Sequence, residues 1–437
     1  MSHRAEPVGG PILTRPFKVL LGVLVTGLLL TAWRFVSGLG PTTGMNDGYA
    51  WGIWIAYDVV TGTALACGGY AVALLCYVLN QGKYHPMVRP AVLTSALGYT
   101  LAGVSIVIDV GRYWNLWKVP LLWNWNRNSI LLEVAICVMS YIFVLWLELS
   151  PAILEGFERD NRYPLLRRMS LKIHPFVNRA MIWILALGIL LPTMHHSSLG
   201  ALMLISASKL HPLWHTPLLP LLFLGSCLFM GYAVVVFEGE ISSQVFRRQR
   251  ETRMLVSLSW VMVDVLFVFL ALRLGDLALR GRLGLLLNLD FHTFFFLLEM
   301  ALFLAPALLM MKRERRYNPG IQFLSAMMMI CAGMLYRFDV YMIQFDPGPG
   351  WSYFPAIPEM FITFGLVALE IMVYIFIVKR FPILAGIAPP PVRAFARRGR
   401  RPGVREVTDE PAHHDRPHHA DRRAPAHRCR GRRRGGP

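Results

Sequence analysis

Clustered cysteines are missing from this chain. Six occur in 437 residues, and Cys67, Cys76, Cys137, Cys227, Cys331 and Cys429 never form a C-x-x-C pair. Iron–sulfur clusters need grouped thiolates, so none is expected here. Five of the six lie in apolar runs, where a lone thiol packs as a small hydrophobe. Phosphate loops of the G-x-x-x-x-G-K kind are also missing, which excludes an ATP-driven machine. Facing histidines are absent: the second, third and fourth apolar runs contain none, and His195 and His196, as neighbours on a helix, point about 100° apart. His292 stands alone near the start of the eighth run. A haem clamped between two histidines is therefore not expected, and no metal site is expected either.

Charge is scarce too. Only 16% of residues are charged, 55% are hydrophobic, and the mean hydropathy is +0.46. What remains is a series of long apolar runs, near 18–37, 50–79, 90–110, 128–155, 175–195, 218–238, 253–275, 291–311, 320–338 and 359–381. A membrane-crossing helix needs about 20 mostly apolar residues. In hydrocarbon every amide needs an internal partner, so such runs are helices, and alternating barrel strands are not seen. The expected fold is an all-α polytopic membrane protein of ten transmembrane helices spanning 18–385. An N-terminal arm (1–17) precedes it and an Arg/His/Pro-rich disordered tail (386–437) follows. The first run lacks a small-residue cleavage site and is read as a retained helix.

Lys/Arg placement sets the orientation. Arg4, Arg15 and Lys18 precede the first run, and Lys83 and Arg89 follow the second. Arg159 to Lys172 follow the fourth, Arg247 to Arg253 the sixth, and Lys312 to Arg316 the eighth. The intervening loops are poorer in basic residues, so both termini are expected in the cytoplasm of a bacterial inner membrane. The net charge of +18 is concentrated in the tail, including Arg398 to Arg401 and Arg432 to Arg434. It fits a solvated segment able to touch anionic lipid, not a nucleic-acid binder. The tail's His413, His414, His418 and His419 could take stray metal.

Ionisable residues within membrane helices are costly and therefore candidates for function. Asp58, Asp109, Arg112, Glu133, His195, Arg337 and Asp339 are expected at one level, in the periplasmic half. Quinone carbonyls need donors such as Arg, His, Tyr or Trp, and two-electron reduction needs a proton donor. A partly desolvated carboxylate exchanges protons near neutrality, and Glu133 suits that role. Asp109 and Arg112 could equally form a structural pair at i, i+3. Arg89 and Tyr99 could begin a proton path from the cytoplasm toward Glu133. Asp264, Glu299 and Glu370 read equally well as polar glue between helices.

Several segments carry a resemblance: GYAWGIWIAYD (Gly48 to Asp58), ACGGYA (from Ala66), YHPMVRPA (from Tyr84), SIVIDVGRYWN (from Ser105), LPTMHHSSLGALM (from Leu191), KLHPLWHTPLLPL (from Lys209) and DPGPGWSYFP (from Asp346). Over about 1–385 the chain resembles the membrane-integral subunit of periplasm-facing, hydrogenase-2-type nickel–iron (NiFe) hydrogenases, in the NrfD/polysulfide-reductase superfamily. The resemblance implies a haem-free, quinone-reactive subunit. Its partners would be the NiFe large and small subunits and a periplasmic ferredoxin-like iron–sulfur subunit. Electrons would pass to menaquinone or ubiquinone, coupled to proton movement. Tyr99 and Glu133 match residues implied as important; Arg89, Asp58, Arg112 and His195 occupy matching motif positions. On this reading quinone binds near Asp58, Asp109, Arg112 and His195, and protons travel by Arg89, Tyr99 and Glu133. Rival readings are a polysulfide, nitrite or molybdopterin enzyme's membrane subunit, a secondary transporter, or a structural anchor.

Overall fold

The computed structural model describes residues 5–49 and 51–385. Arg4 and the expected tail, 386–437, lie outside the described residues. Among those residues are ten helices long and apolar enough to cross a membrane: α1 (Arg15–Ser37), α2 (Trp54–Val78), α3 (Gly82–Asp109), α4 (Ile130–Arg159), α5 (Pro164–Leu204), α6 (Leu219–Val245), α7 (Thr252–Leu279), α8 (Phe291–Met311), α9 (Pro319–Ile343) and α10 (Ile357–Arg380). The described ends meet at one end of the bundle, where Glu6 N–H donates to the Leu384 carbonyl (3.1 Å) and Val8 N–H to that of Val378 (3.0 Å). That agrees with an even number of crossings.

Local chemistry starts these helices where the sequence has caps and prolines. Ser129 Oγ accepts from Leu132 N–H (3.3 Å), Asp290 Oδ1 from Thr293 N–H (2.8 Å) and Asn318 Oδ1 from Gly320 N–H (2.9 Å). Each satisfies a first-turn donor that has no carbonyl behind it. Proline occupies the first turn of α1, α5, α6, α9 and α10, where its missing N–H matters least.

Burial ranks the helices. The apolar window of α2 is 83% buried and that of α1 only 11%, so α2 forms the axis of the bundle and α1 lies at its rim. Yet α2 is not a regular α-helix: residues Trp54–Thr61 and Leu74–Val78 are π-helical, as is Asp339–Ile343 at the end of α9. A π turn releases backbone carbonyls from the regular ladder, and such turns gather at functional sites.

Two sequence boundaries are corrected. The fifth apolar run, expected to end near 195, belongs to α5, which carries Pro192 in its interior and continues to Leu204; His195 and His196 are therefore interior and fully buried. Proline is tolerated within packed membrane helices because neighbours re-satisfy the backbone. Likewise α9 runs past 338 through its π turn, placing Arg337 and Asp339 inside it with no exposed surface.

α1 is fastened chiefly to α10 by a crossing of two glycines. A Cβ built on Gly27 would stand 2.8 Å from Gly365 Cα, and the reverse distance is also 2.8 Å. Only hydrogen fits there, the small-residue contact by which membrane helices approach. Gly365→Leu is expected to pry α1 away and to destabilise the detergent-solubilised protein by about 1–3 kcal/mol. Thermal unfolding measures it; an unshifted midpoint would mean that α1 is held elsewhere.

Candidate functional site

The centre of the bundle is a hydrogen-bonded polar cluster. His196 Nε2 lies 2.9 Å from Cys67 Sγ and 3.1 Å from the Tyr99 hydroxyl. Its Nδ1 is 3.5 Å from the Arg337 guanidinium, which donates to the carbonyls of Val60 (2.6 Å) and Phe223 (2.8 Å) and to Ser226 Oγ (2.9 Å). The Val60 carbonyl belongs to the π-helical stretch of α2. His195 Nε2 meets Thr63 Oγ1 at 3.2 Å, while its Nδ1 is buried without a hydrogen bond. Tyr99 packs edge-on against Tyr141, 4.5 Å between centroids. Five helices (α2, α3, α5, α6 and α9) thus meet through side chains that would be costly if unpaired. Ligand atoms of Cys67, His196 and Cys227 lie within 4.8 Å of one another. That is a soft-metal donor set by type, but His196 is already engaged with Cys67, Tyr99 and Arg337.

Back to back with this cluster lies a cavity of about 250 Å³. Ala66 of α2 and Gly98 of α3 line it, whereas the next residue of each, Cys67 and Tyr99, faces the cluster. Its polar lining is Tyr57, Asp58, Thr94 and Glu370. Asp58 Oδ2 accepts from Thr363 Oγ1 of α10 (3.2 Å).

Asp109 is not paired with Arg112. The charged groups facing it are Arg34 of α1 and Glu359 of α10. Arg34 is buried and caps α3 by donating to the carbonyls of Ile108 (2.5 Å) and Val110 (2.9 Å). Arg112 itself is exposed.

Glu133 stands apart from both interior sites. It is exposed on the first turn of α4 and accepts from Ser198 Oγ of α5 (2.7 Å). It lines a groove of about 600 Å³ whose walls include Leu122, Arg127, Asn128, Ile136 and Met194. The groove is mostly apolar, with a few polar groups in its lining, the usual make-up of a small-molecule site.

Arg89 does not join Tyr99. It bridges helix ends on the basic face, pairing with Glu155 (2.8 Å) and donating to the Pro382 carbonyl (3.0 Å). Glu299 proves structural: it forms a buried ion pair with Arg273 and accepts from Trp214 Nε1 (3.1 Å). Asp264 is exposed on α7 beside an apolar groove. In the connection after α5, His211 and His292 stack 4.0 Å apart. Burial, reinforced by the His292 ring, pushes the His211 imidazole down to about 4, so it is neutral at pH 7.

The expected site residues therefore fall in four places. Tyr99 and His195 meet in the central cluster, Asp58 faces the cavity, Asp109 sits under Arg34, and Glu133 edges the groove; Arg112 and Arg89 join none of these. Sequence reasoning missed Arg34, His196, Cys67, Thr363 and Ser198. Their partners are remote in sequence, and only the place of Arg34 in an otherwise apolar run gave a signal.

A ten-helix bundle carrying buried polar networks defines a multi-pass integral membrane protein. The chain belongs to the NrfD family, described as "Polysulphide reductase, NrfD", which matches residues 41–344. It is 40% identical over 387 residues to the "Probable Ni/Fe-hydrogenase 2 b-type cytochrome subunit" of Escherichia coli (strain K12), covering 88% of this chain and 96% of the relative. It is 33% identical over 393 residues to a protein of Nitratidesulfovibrio vulgaris, covering 85% of this chain and 95% of that one. Over 175 residues it is 32% identical to the "Menaquinone reductase, integral membrane subunit" of the same organism, 40% of each chain.

The Escherichia coli relative's name corrects one expectation. A b-type cytochrome is a haem protein, so the expectation that this chain is haem-free is overturned. It had rested on the histidine pattern, which addresses only a haem clamped by two histidines of one bundle. In the structure His195 Nδ1 and His215 Nε2 are the buried imidazole nitrogens without a hydrogen-bond partner among the described residues. His196 is engaged at both nitrogens, and His211 and His292 are stacked face to face. His195 has no exposed surface and lines neither the central cavity nor the groove at Glu133, so the residues placed there do not fit a group of haem's size.

Proposed function

We propose that this chain is the quinone-reactive membrane subunit of a hydrogenase complex, taking electrons from an iron–sulfur partner and passing them to a membrane quinone. The observation that carries the reading is the groove at Glu133. It is roomy and apolar enough for a quinone ring and the start of its tail, and its polar lining includes Glu133, Asn128 and Arg127. Arg127 and Asn128 donate to a quinone carbonyl; Glu133, exchanging its proton under the Ser198 hydroxyl, supplies the proton that reduction requires. Family membership and the names of the hydrogenase and menaquinone reductase relatives support the assignment. Tyr99 and His195 hold the bundle's centre behind the groove, joined to it by the run Met194 to Ser198 of α5. Asp58, Asp109 and Arg112 do not line the groove.

A photoreactive quinone analogue tests the site. Labelling is expected on the peptides carrying Leu122 to Cys137 and Met194, and to fall when unlabelled quinone competes. Competed labelling confined to other helices would overturn the placement.

A further inference from the structure

Asp264 sits where the bundle gives it nothing to meet. It lies near the middle of the 28-residue α7 and is exposed on the outer face of that helix. At about 1.5 Å per residue it is roughly 18 Å from the nearer helix end, deep within a hydrocarbon core of about 30 Å. Trp260, Val268 and Leu272 share its exposed face at spacings of four. Asp264 makes no hydrogen bond or ion pair among the described residues. Ionisable groups on neighbouring helices contrast with it: Glu299 of α8 is paired with Arg273, and Arg337 and Asp339 of α9 have no exposed surface.

The surface beside Asp264 is shaped. An apolar groove of about 350 Å³ runs between α6 and α7, with Leu224, Gly225 and Leu228 on one wall and Val268 and Leu272 on the other. Asp264 is the one polar side chain in its lining. Packing within the chain does not require a glycine at 225, because a Cβ there would stand 3.6 Å from Phe269, an ordinary contact. In this it differs from Gly27 and Gly365, which press on each other. A bare position on the groove wall lets a helix from outside approach the α6 backbone closely.

We propose that this groove docks a single transmembrane helix of another subunit, one that carries a lysine or arginine at mid-bilayer depth to pair with Asp264. Charge argues for that occupant. Ionisable groups within the membrane are kept where they are paired, and lipid tails offer no donor. The chain already fastens α7 to α8 by the same chemistry, through Arg273 and Glu299. A second copy of this chain is the poorer occupant, since a symmetric contact sets each patch on itself and brings two Asp264 side chains together. The sequence reads Asp264 as glue between helices, and the helix it joins lies outside this chain. The inference deepens the proposed function by placing a subunit on this chain, and it rests on that reading for the existence of a complex.

The test uses the complete complex, purified with a photoreactive phenylalanine analogue in place of Val268 or Leu221. Crosslinks are expected to a membrane-spanning peptide of one other subunit, with a lysine or arginine near its middle. Asp264→Asn and Asp264→Leu are each expected to lower the amount of that subunit retained in detergent by about 10-fold, the effect of losing one buried charged contact. Asp264→Lys, combined with an aspartate in place of the partner's base, is expected to restore it. Crosslinks to phospholipid alone, to a helix without a basic residue or to a second copy of this chain would overturn the proposal. So would full retention of every subunit in Asp264→Leu. Hydrogen-driven quinone reduction by the parent complex keeps the two readings apart. A complex that reduces quinone but crosslinks only to phospholipid sinks the docking site and leaves the quinone assignment standing. Crosslinks to a subunit in a complex that cannot reduce quinone do the reverse.

Discussion

Arg337→Met is expected to leave little assembled protein in membranes and to destabilise what can be purified by about 3–5 kcal/mol, the range for breaking a buried charged network. Arg337 is fully buried and takes part in no ion pair among the described residues. Its two terminal guanidinium nitrogens donate to carbonyls of α2 and α6 and to Ser226, its Nε is buried without a partner, and it lies over the Phe223 ring, 4.7 Å from the centroid. Methionine fills similar volume but donates nothing. The Val60 carbonyl would lose the Arg337 donor, at about 1–3 kcal/mol for a buried group left unpaired, while the Phe223 carbonyl would keep the Ser226 hydroxyl (2.8 Å). Arg337→Lys should rescue only partly, because a point charge cannot copy a planar fork that meets three acceptors. Unfolding in detergent, with the membrane yield of each variant, measures this. A methionine variant as stable as the parent would show that the cluster does not hold α2, α6 and α9 together.

Glu133→Gln has the opposite signature. Assembly should be normal, because residue 133 is exposed and a glutamine oxygen still accepts from Ser198. Hydrogen-driven quinone reduction should fall by about 100-fold to 10,000-fold, the contribution of a positioned proton donor. Hydrogen oxidation with a soluble dye, which bypasses the groove, should be unaffected. Glu133→Asp keeps the acid and shortens its reach by one methylene, so it should fall between the two. Quinone reduction at the parent rate in Glu133→Gln would remove Glu133 from the chemistry.

The ten helices were legible because hydrophobic length is a local property and the bilayer demands it. The sites were less so. Asp109 and Arg112, three apart on a helix, suggest a pair, but Arg34 takes the place beside Asp109, and it lies 74 residues from the Ile108 carbonyl it caps. Pro192 looks like a stop signal, and packing carried the helix through it. Cys67 reads as a small hydrophobe, yet it faces His196 at 2.9 Å. Long-range pairing set each outcome, and spacing along one chain does not encode it. The haem expectation failed for a related reason: adjacent histidines exclude one mode of ligation and say nothing of ligation by one.

The most direct test of the central claim compares the hydrogenase complex purified with and without this chain. Without it, hydrogen-driven reduction of a soluble dye should persist and reduction of quinone should be lost, returning when the chain is restored. Quinone reduction that continues in its absence would contradict the assignment of this chain as the quinone-reactive subunit.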